Sequence, residues 1–455
     1  MTFPEDNQPP DANSTPNGRI ELPDEVPGGM PRKFSTTPGT RDMLPPEAMR
    51  LFDVQRRVVD RFRAHGFREV VTPTLEYAEV LEEPHLRDAS FKLFDPDNQM
   101  LLLRPEMTTP IARLVAQRLK DGPAPHKLSY CLPVYRRASV GRGQSAEFHQ
   151  AGVEVVGSDS PGEDAGAISL LTDVLESLGL APGEDFSVVL GQAAFYRSYV
   201  EENAPEVAAG LLEALAAKDL VRVDEIAAVL PAEVATGVRE IPRLVGRADD
   251  EGLLDEASKY ASGRAGAAFE NLREVLSYLE AVGRPGAAIL DLGLIGRYGY
   301  YTGTVYEVYA GGMGFSVASG GRYDGLLSRF GEDAPATGFA ISLERLIQIL
   351  PEDPQQPLLL MLGRSMEAAR TAVGLRNRGV LVLHVAEDFE PEEARRYAES
   401  VGADAVAYPA GHDDDNEGSN SGSNAGDNLK IAGVPEMSFE VRTLEEVRAA
   451  RGRPV

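Results

Sequence analysis

The chain has 455 residues, 43% of them hydrophobic, and a formal net charge of −26 at pH 7. This length allows two or three domains with cores of their own. The acidic charge creates a field that repels a polyanion, which disfavours nucleic acid as a partner, although a local basic groove could override that average.

Cysteine usage and hydropathy indicate the compartment. The single cysteine, Cys131, excludes an internal disulfide, and no cluster of cysteine and histidine has zinc-ligand spacing. The first residues lack the basic start and apolar core of a signal peptide, and no apolar run approaches the roughly 18 residues of a membrane span. We therefore expect a soluble cytoplasmic protein with no membrane contact, no metal and no cofactor.

The chain begins with a polar segment and continues into patterned structure. Residues 1–33 are rich in Pro, Asp, Asn and Gly, which predicts a disordered tail ahead of a core that spans 34–350. LPPEAMRLFDVQRRVVDRFRAHGF predicts a helix with Met49, Phe52, Val58, Val59 and Phe62 at near-helical spacing, ended by Gly66. REVVTPTLE predicts a strand, and FKLFDPDNQMLLLRPE a hairpin that turns at Asp97 and Asn98.

The core pattern is interrupted and then resumes. TTPIARLVAQRLK predicts a helix, and KLSYCLPVYRR and AEFHQAGVEVVG predict two long antiparallel strands. Residues 191–283 are rich in Ala, Leu, Glu and Arg in helical register, which predicts a helical insertion. Sheet-like patterning returns at AAILDLGLIGRYGYYTGTVYEVYA, passes through ASGGRYDG, which we interpret as a glycine turn, and closes with ATGFAISLERLIQIL.

The remaining segment, residues 351–455, alternates strand and helix patterns. PLLLMLG, VLVLHVAED and DAVAYPAG predict strands separated by helices, which is typical of a small α/β domain. Residues 413–428, DDDNEGSNSGSNAGDN, predict a flexible acidic loop, and MSFEVRTLEEVRAAR predicts one more strand and helix.

Six segments, taken in order, resemble the catalytic core of histidyl-tRNA synthetase over roughly residues 36–350. They are TPGTRDMLPPEA, LLLRPEMT, the 136–150 hairpin with GVEVVG, YYTGTVYEVY, GGRYDGLLSRFG and GFAISLERL. The resemblance implies an α+β, class II aminoacyl-tRNA synthetase-like fold. That fold has an antiparallel sheet flanked by helices, here with the helical insertion and a small C-terminal α/β domain similar to an anticodon-binding domain, and it typically dimerises.

The same resemblance implies a histidine pocket. Glu106 and Thr108 would meet the amino group, Gln150 and Glu154 would line the cavity, and Tyr300 and Tyr301 would close on the imidazole. Each residue also has a simpler interpretation, since Glu106 would cap the following helix, the tyrosines would be ordinary strand residues, and the glycines of ASGGRYDG would form turns.

The residues that adenylate chemistry requires are altered. Arginines or metal ions must neutralise the triphosphate. Arg136 matches the synthetase hairpin, but Ala138 replaces its glutamate, and Gln144 and Ala146 replace arginines of its turn, with Arg142 two positions off.

A second arginine of the synthetase pattern falls on Gly296, next to Arg297. A shift of one residue along a strand turns the side chain to the opposite face. Arg136 and Arg345 remain and suggest a vestigial nucleotide site, with no catalytic residues. They could equally be structural residues that pair with buried carboxylates.

The combination resembles the family of histidyl-tRNA synthetase-like regulatory subunits of ATP phosphoribosyltransferase. Residues 357–411 contain no lysine and carry the acidic stretch EDFEPEEARRYAES, a poor surface for RNA phosphates. The family implies a non-catalytic homodimer in a hetero-oligomer with the short catalytic subunit, serving the first step of histidine biosynthesis and its regulation by histidine.

Two alternatives stay open at this point. The first is an active histidyl-tRNA synthetase, in which Arg142 or Arg297 replaces the missing side chains. The second is a sensor or scaffold module for an unrelated partner. The sequence also leaves open whether histidine acts in the pocket or at a subunit interface.

Overall fold

The structure is a computed structural model that describes residues 36–81, 83–137, 145–284, 288–296, 299–351, 357–409 and 439–443. The predicted tail (1–33) and acidic loop (413–428) lie outside these residues, as do Ala138, Arg142, Gln144 and Arg297. The domain boundaries given above stay predictions. None of the helices in the described residues has the length and apolar character that a membrane crossing requires.

The described helices alternate with strands along most of the chain. The α-helices are α1 (Glu47–Ala64), α2 (Pro84–Ala89), α3 (Thr108–Leu114), α4 (Pro161–Ser177), α5 (Ala193–Asn203), α6 (Ala208–Ala216), α7 (Leu220–Ala227), α8 (Ala232–Glu240), α9 (Glu251–Ser258), α10 (Gly263–Ala281), α11 (Leu343–Ile349), α12 (Met366–Arg376) and α13 (Pro391–Val401).

The strands form three sheets. They are β1 (Arg68–Glu69), β2 (Leu75–Tyr77), β3 (Lys92–Phe94), β4 (Met100–Leu103), β5 (His126–Tyr135), β6 (Glu147–Val156), β7 (Phe186–Gln192), β8 (Val245–Arg247), β9 (Ala288–Asp291), β10 (Thr304–Ala310), β11 (Ala318–Arg322), β12 (Ala336–Ser342), β13 (Leu358–Leu362), β14 (Leu381–Val385), β15 (Ala405–Pro409) and β16 (Phe439–Thr443).

The central sheet has the order β1-β5-β6-β12-β11-β10-β7-β9-β8. Its middle is antiparallel, and its parallel pairs are β1 with β5 and β7 with β9. Helices α1, α4, α10 and α11 contact this sheet or one another, and a large apolar cluster fills the space between them. The predicted antiparallel sheet flanked by helices is thus present, with parallel pairs towards its edges.

The segment between β7 and β9 is largely helical. Helices α5 to α10 follow one another between β7 and β9, and only the three-residue strand β8 breaks their sequence. Strand β8 pairs with β9 at the edge of the central sheet, while α10 packs on α4 and α5. The insertion therefore adds a helical layer and one edge strand without dividing the sheet.

The C-terminal sheet has the order β14-β13-β15-β16. Strands β13, β14 and β15 are parallel, with α12 and α13 as the crossover helices, and β16 joins β15 in the antiparallel sense. Alanines that share one face of α13, Ala394 and Ala398, are buried against this sheet. This is the small α/β unit that the alternating pattern predicted.

The helix predicted before Gly66 is α1. Its buried residues are Leu51, Val54, Val58 and Phe62, whereas Met49 and Phe52 are exposed. Near the first turn of α1 the apolar residues surround the helix, so their spacing alone does not identify its buried face.

The stretch REVVTPTLE forms two short strands in different sheets, β1 and β2. Pro73 lies between them and has no N–H to donate to a sheet ladder. The chain therefore leaves the central sheet there and enters the small one.

Candidate functional site

A cleft opens over one face of the central sheet, with an empty volume of about 670 Å³ that includes some open solvent. Strands β6, β11 and β12, the start of α3 and the first turn of α11 contribute its walls. All eight site residues predicted from the sequence line it: Glu106, Thr108, Arg136, Gln150, Glu154, Tyr300, Tyr301 and Arg345. The fold therefore brings together residues that are up to 239 positions apart in sequence.

Glu106 lies at the start of α3 and is 3% exposed. Its carboxylate accepts hydrogen bonds from the backbone N–H of Thr108 (2.6 Å) and of Thr109 (3.0 Å). The simpler interpretation of this residue, a helix cap, is thus observed, and its carboxylate lines the cleft as well. Burial raises the pKa of Glu106, while these hydrogen bonds and the nearby Arg136 oppose the rise.

Glu154 projects from β6 and is 1% exposed. Its carboxyl group accepts hydrogen bonds from the hydroxyl of Thr108 at 2.9 Å and from that of Tyr323. Burial outweighs these contacts and raises the pKa of Glu154 to about 8. A substantial fraction of Glu154 therefore carries a proton at neutral pH.

A glycine on the neighbouring strand makes room for this carboxyl group. Gly338 of β12 lies opposite Glu154 in the register, and a Cβ at Gly338 would lie 2.0 Å from Glu154 Oε2. Any side chain at Gly338 would displace the carboxyl group.

Gln150 connects the two sides of the cleft. It precedes Glu154 on the same face of β6, and its Oε1 accepts a hydrogen bond from the backbone N–H of Met107 at 3.1 Å. This contact holds the segment before α3 against the central sheet, so the positions of Glu106 and Thr108 depend on Gln150.

Three tyrosine rings form a wall. The ring centroids of Tyr300 and Tyr301 are 4.9 Å apart, and those of Tyr300 and Tyr323 are 5.9 Å apart in an edge-to-face arrangement. Tyr323 was not among the predicted site residues, although the motif GGRYDG contains it. The motif GGRYDG could have identified Tyr323, but the sequence analysis considered only the glycines of this motif.

The first two of those glycines lie in a strand, whereas Gly325 lies in the turn that follows it. Gly320 and Gly321 belong to β11, which pairs with β10 and β12. A Cβ at Gly320 would lie 2.3 Å from the carbonyl oxygen of Gly338. The turn prediction was wrong for Gly320 and Gly321, which allow close packing between strands.

Gly296 holds the position where the synthetase pattern has its second arginine. Its φ is +81°, and a Cβ there would lie 2.4 Å from Cδ2 of Tyr301. The Tyr301 ring therefore occupies the space that a side chain from residue 296 would need. The packing of the cleft and the positive φ therefore favour glycine over arginine at this position.

The two arginines of the cleft are each held by a carbonyl and a ring. Arg136 donates from Nε to the carbonyl of Pro105 at 2.7 Å, and its guanidinium carbon lies 5.4 Å from the centroid of the Phe148 ring. Arg345 donates to the carbonyl of Ser316 at 2.7 Å and lies 4.4 Å from the centroid of the Phe315 ring. Both guanidinium groups line the same cleft as the buried carboxyl groups.

A buried ion pair supports the sheet under the cleft. Arg322 of β11 lies 2.9 Å from Asp164 of α4, and both side chains are at most 5% exposed. Arg322 also donates to the carbonyls of Ser158 and Ser160. Sequence reasoning missed this pair, because its partners are 158 residues apart and only the tertiary fold brings them together.

The cleft suits a small zwitterion. Two buried carboxyl groups can meet a cationic or hydrogen-donating group, and the two arginines can meet an anionic one. The tyrosine wall can cover a flat ring.

Comparisons with known proteins agree with this geometry. A family model described as Histidyl-tRNA synthetase matches residues 39–346. The chain is 69% identical over 379 residues to an ATP phosphoribosyltransferase regulatory subunit of Rubrobacter xylanophilus, which covers 83% of this chain and 92% of that protein. It is 36% identical over 386 residues to a protein of the same name from Desulforamulus reducens, covering 82% and 94%.

Solved structures show the same fold. One from Bacillus halodurans, described as an ATP phosphoribosyltransferase regulatory subunit/histidyl-tRNA synthetase, has a TM-score of 0.73 and 28% identity, covering 83% of this chain and 99% of that one. A histidyl-tRNA synthetase from Nostoc has a TM-score of 0.69 and 23% identity, covering 82% and 91%, and this likeness shows the fold alone.

The class II synthetase-like fold and the family predicted from six sequence segments are thereby confirmed. The family model spans the cleft residues from Glu106 to Arg345, and the 69% identical relative extends over most of the chain. The chain belongs to the histidyl-tRNA synthetase-like family of ATP phosphoribosyltransferase regulatory subunits.

Proposed function

We propose that this chain has no catalysis of its own and regulates a short catalytic subunit that joins ATP to phosphoribosyl pyrophosphate. The observation that carries this proposal is the packing at Gly296. Because Tyr301 fills the space beside Gly296, position 296 supplies no cation to stabilise the charge that develops during adenylate formation. A site that keeps an amino-acid-sized cavity without that cation binds and does not activate.

The ligand of the cleft is free histidine in this proposal. Glu106 meets the ammonium group together with Thr108, and it remains able to accept further hydrogen bonds beyond those from the helix N-terminus. Glu154 and its partner Tyr323 meet the imidazole nitrogens, and the rings of Tyr300 and Tyr301 cover the imidazole face. Gln150 links the two sides of the cleft through its hydrogen bond with the backbone N–H of Met107.

Histidine can regulate only if it binds one state of the complex better than another. The cleft supplies such a difference if its two sides, linked by Gln150 and Thr108, close more tightly in the inhibited complex. A histidine site at a subunit interface is the alternative location. The working assembly in this proposal is a cytoplasmic homodimer of this chain within a hetero-oligomer with the catalytic subunit, without nucleic acid.

The first experiment measures phosphoribosyl transfer to ATP by the catalytic subunit of the same organism, with and without this chain. We expect transfer to appear on mixing and to fall when histidine is added. Histidine-dependent exchange between ATP and pyrophosphate is measured on this chain alone, and we expect none. Exchange by this chain would contradict the proposal and favour an active histidyl-tRNA synthetase.

The second experiment locates the histidine site by calorimetry with Tyr323→Phe, which keeps the ring and removes the hydroxyl that contacts Glu154. A buried hydrogen bond to a ligand-binding carboxyl group contributes about 1–3 kcal/mol, so we expect histidine affinity to fall by about 5- to 150-fold. Tyr309→Phe is the control, because Tyr309 lies outside the cleft lining. Unchanged affinity in Tyr323→Phe would place histidine elsewhere.

A further inference from the structure

A buried arginine lies directly before the segment that carries Glu106. Arg104 follows the last residue of β4 and is 2% exposed. Its Nε donates to the carbonyl oxygen of Pro133 at 2.9 Å, and its Nη1 donates to that of Thr72 at 2.7 Å. A further carbonyl oxygen, that of Pro73, lies 3.3 Å from the same Nη1. The guanidinium therefore bonds two separate parts of the chain at once.

The partners of Arg104 are unusual for a buried cation. Buried charges in proteins are normally paired with a charge of opposite sign. Glu76, the buried carboxylate whose charge acts on Arg104, is bonded instead to Arg113 of α3 at 2.6 Å. Removal from water lowers the pKa of the Arg104 guanidinium, and its short hydrogen bonds go to backbone carbonyls. This cost indicates that the position requires the directed N–H groups of a guanidinium.

Arg104 joins the small sheet of β2, β3 and β4 to the central sheet. The carbonyls that its guanidinium contacts belong to the connection between β1 and β2 and to β5. Its backbone is held from the same two sides. The N–H donates to the carbonyl of Thr74 at 2.9 Å, and the carbonyl accepts from the N–H of Tyr135 at 3.0 Å. Residue 104 is therefore fixed between the two sheets by both its side chain and its backbone.

The anchors of the next four residues are of a different kind. Three hydrogen bonds hold residues 105–108, and all three involve side chains that line the cleft: Arg136 on Pro105, Gln150 on Met107, and Glu154 on Thr108. A ligand in the cleft competes for those three side chains. The carbonyls that hold Arg104 do not line the cleft, so Arg104 keeps its place whether or not a ligand is bound.

We propose that Arg104 is a positioning residue that fixes the Glu106 carboxylate for an α-ammonium group, so that the cleft selects amino acids over ligands without this group. The inference rests on the proposed binding of histidine in the cleft and names what sets its selectivity. Pro105 is the one residue between Arg104 and Glu106, and proline has a φ locked near about −65°. The link is therefore stiff, and a displacement of residue 104 displaces Glu106.

Selectivity of this kind depends on a fixed distance. A hydrogen bond from N–H to oxygen has a preferred length of about 2.9 Å, and binding groups have to be held within about 0.5 Å of the productive geometry. Without the guanidinium of Arg104, residues 105–108 are held mainly by side chains that the ligand also contacts. The Glu106 carboxylate then moves with the ligand, and the cost of ordering this segment offsets the gain from the ammonium contact.

Calorimetry on the full chain with two ligands tests the proposal. Histidine is compared with imidazolepropionate, which keeps the ring and the carboxylate and lacks the ammonium group. A hydrogen bond between charged groups makes the wild type prefer histidine by about 10- to 150-fold. Arg104→Met fills a similar volume without N–H donors, and we expect this preference to fall at least about fivefold, while the affinity for imidazolepropionate changes little.

Two further variants separate positioning from general stability. Arg284→Met makes the same chemical change at a half-buried arginine that bonds Glu176 of α4 at 2.7 Å and lies outside the cleft lining. It should leave the preference for histidine unchanged. In chains that already carry Glu106→Gln, Arg104→Met should not lower the preference further, because the carboxylate through which Arg104 acts is gone.

A second measurement uses the wild type alone and covers the case in which Arg104→Met does not fold. Hydrogen exchange is resolved to single amides in the free chain. The amides of Arg104 and Tyr135 should exchange as slowly as those inside β5, because they open only when the sheet opens. The amides of Thr108 and Thr109 should exchange faster and become slower when histidine is added.

Three results would overturn the inference. They are a preference for histidine that survives Arg104→Met, an equal loss of affinity for both ligands in that variant, and exchange at Arg104 and Tyr135 as fast as at Thr108 in the free chain. A wild type that binds neither ligand would remove histidine from the cleft, and the inference with it. A wild type that prefers histidine but is unaffected by Arg104→Met would leave the proposed ligand standing and remove only the role of Arg104.

Discussion

Replacing Glu154 by Gln should change how the stability of the chain depends on pH. Burial raises the pKa of Glu154 to about 8, from an ordinary value of 4.5. Between these two values the folded state holds a proton that the unfolded state has lost. The free energy of unfolding therefore falls as the pH rises through this window, and Glu154 contributes no pH dependence below it or above it.

The magnitude follows from the width of the window. Each pH unit inside it corresponds to about 1.4 kcal/mol, so the wild type should lose about 2.7 kcal/mol between pH 5.5 and pH 7.5 through this one group. Gln has nearly the shape of the protonated carboxyl group and does not titrate. The difference in unfolding free energy, wild type minus Glu154→Gln, should therefore fall by about 2.7 kcal/mol over that range.

Urea unfolding at pH 5.5, 6.5 and 7.5 measures this difference, followed by tyrosine fluorescence because the chain has no tryptophan. Glu147→Gln is the control, since it makes the same chemical change at an exposed position at the start of the same strand. Parallel pH profiles of the wild type and Glu154→Gln would refute the reasoning, because they would mean that Glu154 titrates normally in the folded chain.

Two further substitutions test the support of the cleft by urea unfolding. Gly296→Ala should destabilise the chain by about 2–4 kcal/mol, since its Cβ would lie 2.4 Å from the Tyr301 ring. The control is Gly283→Ala, at a similar φ but with open space around it, which should cost only about 1 kcal/mol. Equal costs for the two variants would contradict the packing argument. Asp164→Ala should lower the free energy of unfolding by about 3–5 kcal/mol, because it leaves the Arg322 guanidinium buried without its main partner. A loss below about 1 kcal/mol would show that solvent reaches this ion pair.

Some strand pairings in the core could be predicted from the sequence, because the residues that specify them are close together in the chain. The antiparallel pairing of β5 with β6 and the hairpin between β3 and β4 follow from alternation and from a short turn, where Asn98 has a φ of 61°. These signals are local, since the period of a strand and the chemistry of a turn are set by residues a few positions apart.

Sequence patterns did not determine the packing where residues distant in the chain contact the position. Gly320 and Gly321 are typical of a turn in isolation, yet Gly338 and Tyr306 pack so closely on Gly320 that only glycine fits in that strand. Met49 is apolar and lies on α1, but the sheet lies on the other side of that helix. Neither fact is encoded within ten residues of the position concerned.

The sequence by itself determined the order of the elements, the family and eight of the residues that line the cleft, because six ordered segments carry those signals together. The tertiary structure alone decided that Glu106 both caps α3 and lines the cleft, that Tyr323 contacts Glu154, and that Tyr301 fills the space beside Gly296. These relations depend on distances between side chains far apart in the chain. Such distances are fixed by packing around the central sheet, and a sequence pattern does not contain them.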